Sequence, residues 1–167
     1  VLGSIQDNEL LYEYGKEVAR QFREIGVHVN FAPVADVDNN PLNPVINTRS
    51  FGGDPRNVAE KVVAYSMGLE KGGVLSVSKH FPGHGDTNVD SHKALPVLNF
   101  TRERLDSIEM YPFRQAVQAG LGENINNPKP IMSQVICGIV CAISYPSNEI
   151  CLLSIKSGIP TDSHFPG

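Results

Sequence analysis

Basic charge is scarce in this chain: 14 lysines and arginines stand against 18 aspartates and glutamates in 167 residues, a net charge of −4. That balance leaves no basic footprint for nucleic acid and no polybasic membrane patch. No apolar run is long enough to span a bilayer, and no stretch reads as a secretory leader. The chain starts at Val1 rather than Met, so its natural start is expected to lie upstream. A cytoplasmic location and a periplasmic or secreted one both stay open. Cysteine is scarce too, with only Cys137, Cys141 and Cys151. An odd count argues against a disulfide framework, and C-x3-C without a nearby histidine lacks the spacing of a zinc site. The three read as buried or free thiols.

What is present is enough for one domain with a sizeable core. Asp7 can cap a helix starting at Asn8, with Leu10, Tyr14, Val18, Phe22 and Ile25 at helical spacing and Gly26 as the stop. Val27 to Val34 alternates and is rich in β-branched residues, which predicts a strand. Asp54 and Pro55 form an N-cap and first-turn pair. They open a helix carrying Val58, Val62, Tyr65 and Leu69, which ends at Gly72-Gly73. Val74 to Ser78 predicts a second strand. Thr101 caps a third helix with Leu105 and Ile108 on one face, and Pro112 should break or kink it. Helix, strand, helix, strand, helix implies parallel strands joined by crossover helices, an α/β fold. From about Leu121 the character changes. Residues 122–167 hold five charged side chains, every cysteine and five of the twelve prolines. No helical period appears there, although 131–140 could form a strand.

Three of the five histidines fall within residues 79–92, in KHFPGHGDTNVDSHKALP at 79–96. This stretch follows the second strand directly, and Asp36 lies just beyond the first, at the strand ends where α/β folds and barrels gather reactive residues. Lys79 is a positive charge suited to holding a hydroxyl or an anion. His80 can donate to a second oxygen. Gly83 and Gly85 let backbone approach a ligand closely. Asp90 and His92, two apart, let a carboxylate hold the far nitrogen of an imidazole and raise its basicity, as in a hydrolytic site. Two other readings compete. His80, His84, Asp86, Asp90 and His92 are all suitable metal ligands, which would make a metal-dependent hydrolase, but their spacing fits no metal signature. The same side chains could simply pin a polar loop through hydrogen bonds.

The stretch resembles the signature of glycoside hydrolase family 3, in its β-N-acetylhexosaminidase branch: K-H-F-P-G-H-G, then D-S-H, then L-P. NFAPVADVD at 30–38, NTRSFGGDP at 47–55 and ERLDSIEMYPFRQAVQAG at 103–120 resemble further family segments in the right order. The resemblance covers roughly residues 1–120 and implies part of a (β/α)8 barrel. It implies that Arg49, Lys79 and His80 bind substrate. It also implies that His92, held by Asp90, is the general acid/base, in place of the carboxylic acid that most glycosidases use. The substrate would be an amino-sugar oligosaccharide or cell-wall glycan, with no cofactor and no metal. The D-S-H loop is what favours an N-acetyl-β-glucosaminide over a β-glucoside. A neutral imidazole would not repel an anionic acceptor, so phosphorolysis is a side reading.

The resemblance stops near residue 120. The family's nucleophilic aspartate has no clear counterpart, and Asp162 in IPTDS is only a faint candidate. The upstream D-Q-E-G-G segment would lie before Val1. Residues 121–167 are expected to be an unmatched tail, foreign or frame-shifted. The alternative to an active hydrolase is a catalytically incomplete fragment that keeps part of a sugar site.

Overall fold

The computed structural model describes residues 1–87 and 100–121. Two long helices, α1 (Asn8–Glu24) and α2 (Pro55–Lys71), pack side by side. Two short parallel strands, β1 (Val29–Asn30) and β2 (Leu75–Ser76), follow them in the chain. Helices α3 (Arg102–Ser107) and α4 (Tyr111–Gln118) come after the strand-end loop, and α4 packs on α2.

The caps lie where the sequence places them. Asp7 accepts the Glu9 amide. Asp54 accepts the Arg56 and Asn57 amides, with Pro55 in the first turn, where its missing N–H costs nothing. Thr101 accepts the Arg104 amide. Pro112 does separate two helices, and it sits in the first turn of α4.

The buried stripe of α1 differs from the expected one. Val18 and Phe22 pack half-buried against the core as expected, but Leu10, Tyr14 and Ile25 are exposed, and the fully buried face against α2 is Leu11, Gly15 and Ala19, spaced i, i+4, i+8. Small residues line it because the helices nearly touch. A Cβ on Gly15 would lie 2.4 Å from the Tyr65 carbonyl oxygen, and one on Gly68 would lie 2.1 Å from that of Tyr12. On α2, by contrast, Val58, Val62, Tyr65 and Leu69 are all buried as the period predicts. Lys61 is buried between the helices as well. Its ammonium donates to the Ile5 carbonyl and to Asn8 Oδ1, which satisfies the buried charge.

Both strands are shorter than their apolar runs. Val29 pairs with Leu75 and Asn30 with Ser76, and pairing resumes only at Val34 with Lys79. Pro33 lies within the first run and has no N–H to give the ladder. The resumed pairing is out of step: from Asn30 to Val34 is four residues, but from Ser76 to Lys79 is three. The surplus residue is absorbed where the Val77 amide meets both the Asn30 and the Ala32 carbonyl, at 2.9 and 3.2 Å. Beyond it, Lys79 donates to the Pro33 carbonyl and accepts from the Ala35 amide. The peptides Ala32–Pro33, Lys79–His80 and Phe81–Pro82 are cis.

Candidate active site

Asp36 follows the resumed pairing directly and is fully buried. Its carboxylate accepts from the His80 amide at 3.1 and 3.2 Å, from the His84 amide at 2.7 Å, and lies 2.7 Å from His80 Nδ1. One side chain therefore fixes both the main chain and the ring of the second histidine-bearing loop. Asp36 also anchors the first loop through its carbonyl, which accepts from Ser50 Oγ at 2.7 Å. Ser50 is the neighbour of Arg49, so the N-T-R-S-F and K-H-F-P-G-H-G segments meet on one residue.

Lys79 is half-buried. Burial lowers its pKa most, the Arg49 charge lowers it further, and Asp36 opposes both. Arg49 is exposed and donates to the Val45 carbonyl at 3.4 Å. Its charge acts on His84 too, so Arg49 lies near enough to Lys79 and His84 to be felt by both, while His80 is held on Asp36. Two cations close enough for the charge of one to depress the pKa of the other suit a ligand rich in oxygen acceptors.

His84 is buried beneath this layer, its ring edge-on to His80 with centroids 5.9 Å apart. Thr87 Oγ1 holds its Nδ1, and Nε2 has no partner among the described residues. Asn43 donates to the His84 and Gly85 carbonyls at 2.7 and 3.1 Å, while its own oxygen accepts the Val45 and Ile46 amides. This is loop-pinning chemistry, made through the His84 main chain and Nδ1. Among the described residues no group of His, Cys, Asp and Glu could hold a metal ion.

A second buried acid lies below the loop. Glu109 is 1% exposed, and its Oε1 accepts from Arg104 at 3.0 Å and from Asn39 at 3.4 Å. Arg104 also reaches Asp86 at 3.2 Å and stacks over the Phe100 ring. Gly83 backs onto Glu109 so closely that a Cβ there would lie 2.7 Å from Glu109 Cβ. Burial raises the Glu109 pKa, with Arg104 opposing. Sequence reading missed both Asp36 as a ligand of His80 and the Arg104–Glu109–Asp86 cluster. Asp90, His92, Asp162, the three cysteines and the 131–140 strand lie outside the described residues.

Burial lowers the His84 pKa, so the folded state favours its neutral ring. The unfolded chain takes up this proton near the ordinary value of about 6.5. The contribution of His84 is therefore complete above that pH and lost as pH falls from there toward the lowered folded value. Thermal melts between pH 7.5 and 5.5 should show a steeper fall for the native chain than for His84→Gln. Parallel profiles would contradict the assignment.

With this geometry in view, residues 1–126 match the family described as the glycosyl hydrolase family 3 N terminal domain. The chain belongs to glycoside hydrolase family 3. Its fold is accordingly of the (β/α)8 barrel type, of which the described residues form a part. It is 44% identical over 102 residues to beta-hexosaminidase A of Pseudoalteromonas piscicida, an alignment covering 61% of this chain and 17% of that protein. It is 41% identical over 114 residues to beta-hexosaminidase LpqI of Mycobacterium tuberculosis, covering 66% and 28%. Among solved structures, a family 3 beta-N-acetylglucosaminidase from Paenibacillus sp. superposes with a TM-score of 0.70 at 47% identity, covering 72% of this chain and 23% of that one. The chain thus spans less than a third of the length of each of these family 3 relatives.

Proposed function

We propose that this family 3 chain carries the sugar-gripping half of a β-N-acetylhexosaminidase, an enzyme releasing N-acetyl-β-glucosamine from amino-sugar oligosaccharides or cell-wall glycans. The observation that carries the reading is the strand-end cluster in which Asp36 holds Lys79-His80 beside Arg49. Likeness to proteins named beta-hexosaminidases supports it.

In this reading the reaction is retaining. His92, oriented by Asp90, gives its proton to the glycosidic oxygen as a carboxylate attacks the anomeric carbon and the C–O bond breaks. Neutral His92 then takes a proton from water, whose oxygen displaces the carboxylate and restores the starting configuration. The attacking carboxylate has no clear counterpart in this chain, and Asp162 is only a faint candidate for it. Residues 1–120 form the barrel portion and 121–167 a tail, of which the family match reaches the first six residues.

The test is hydrolysis of an aryl N-acetyl-β-glucosaminide by this chain, with the aryl β-glucoside as control and a chelator in a parallel reaction. The expected result is turnover of the first alone, unaffected by chelator and lost in His92→Ala. A folded chain that binds N-acetylglucosamine without turnover would be the sugar-binding piece lacking its nucleophile. Turnover abolished by chelator would favour the metal-dependent reading instead.

A further inference from the structure

We propose that Asp36 is a positioning residue that holds neutral His80 in a single tautomer, with the proton on Nδ1 and a bare lone pair on Nε2. His80 then accepts a hydrogen bond from a sugar hydroxyl instead of donating one. The inference rests on the reading of Lys79-His80 as a sugar grip.

The argument is one of donor and acceptor counting. A backbone N–H can only donate, so the His80 and His84 amides make the Asp36 carboxyl group an acceptor at both oxygens. Two backbone donors converging on one fully buried carboxyl suit the carboxylate, every oxygen of which accepts. An anionic carboxylate has no proton to offer Nδ1, which lies 2.7 Å from Oδ2. The ring must therefore supply the proton of that contact, and its short length fits a charge-assisted bond. A neutral imidazole carries one N–H only, which leaves Nε2 as acceptor.

Lys79, next in the chain, has donors only. The pair is thus complementary: Lys79 meets the lone pairs of a hydroxyl, and His80 meets its hydrogen. A site built this way discriminates strongly against a ligand lacking the donor, because Nε2 would be desolvated without a partner. A fluorine or methoxy group in place of the hydroxyl that meets His80 is the kind of change it would reject.

The experiment is long-range 1H–15N NMR on the full chain labelled at histidine nitrogen, near pH 8, with the His80 signals assigned by their loss in His80→Gln. The expected spectrum has His80 Nδ1 shifted as a protonated nitrogen and Nε2 as an unprotonated one. Asp36→Asn should shift this toward the Nε2–H tautomer. A wild-type His80 with its proton on Nε2 overturns the proposal, and that spectrum decides the matter even if the variant fails to fold. A folded Asp36→Asn with unchanged His80 shifts would also overturn it. Titration with N-acetylglucosamine tests the underlying reading separately. Movement of the His80 Nε2 signal supports both, whereas a fixed tautomer with no response to sugar leaves Asp36 in its role and removes the sugar grip.

Discussion

Gly85→Ala should collapse the strand-end loop and cost about 3 kcal/mol or more, the upper end of overpacking penalties. A Cβ at this position would lie 1.7 Å from the Val37 carbonyl oxygen and 2.6 Å from its carbon. Both are backbone atoms of the segment that carries Asp36, so no side-chain rotation relieves the clash. Either the loop lifts and breaks the His84 and His80 amide bonds to Asp36, or the Asp36 segment withdraws from Lys79. The first leaves buried N–H groups unpaired, at about 1–3 kcal/mol each. Urea unfolding measures the loss, and NMR of the histidines shows whether the site has moved. A midpoint and His80 signals matching the native chain would refute the close approach.

Gly68→Ala should be the next most damaging change, through the helix pair and not the site. Alanine gains about 1 kcal/mol over glycine in a helix interior. Here its methyl would meet the Tyr12 carbonyl oxygen at 2.1 Å and the Gly15 Cα at 3.1 Å. Backbone on both sides forces α1 and α2 apart along the stripe that buries Leu11 and Leu69. An overpacking cost of about 3 kcal/mol outweighs the propensity gain and leaves a net loss of about 2 kcal/mol. Met67, the preceding residue, is exposed. Its replacement by alanine should change stability by about 0.5 kcal/mol or less. Thermal melts of the two variants separate the cases, and a Gly68→Ala chain as stable as the native one would mean the helices stand further apart.

The parts of the structure legible in sequence were those with local causes. Asp7, Asp54 and Thr101 announce helix starts because an N-cap acts within three residues, and Pro112 marks a helix boundary for the same kind of reason. The face of α1 is legible at Val18 and Phe22 but not at its first turns, because hydrophobicity alone favours Leu10 and Tyr14. Close helix approach instead selects Gly15 and Ala19, and that depends on a partner 50 residues away. The site divides the same way. Lys79 and His80 stand out as adjacent polar residues at a strand end. Asp36 stands out too, just beyond the first strand, but its tie to His80 does not, because it spans 44 residues and exists only once β1 and β2 are in register. Arg104 and Glu109 were hidden inside a helical pattern, where a buried ion pair reads like a surface one.

The uneven spacing between the two strand pairings has a consequence for chain length. Four residues on one side are matched to three on the other, so the surplus residue sets which way the segment after Val34 presents its side chains. Because side chains alternate along extended backbone, removing one residue between Asn30 and Val34 would turn position 36 to the opposite side and deprive His80 of its carboxylate. The contact is thus encoded in a count of peptide units as much as in the identities of Asp36 and His80. An alignment that closes this mismatch with a gap would pair the wrong residues throughout the first loop. A chimera left one residue short within residues 31–33 would keep Asp36, Lys79 and His80 and still lose the site.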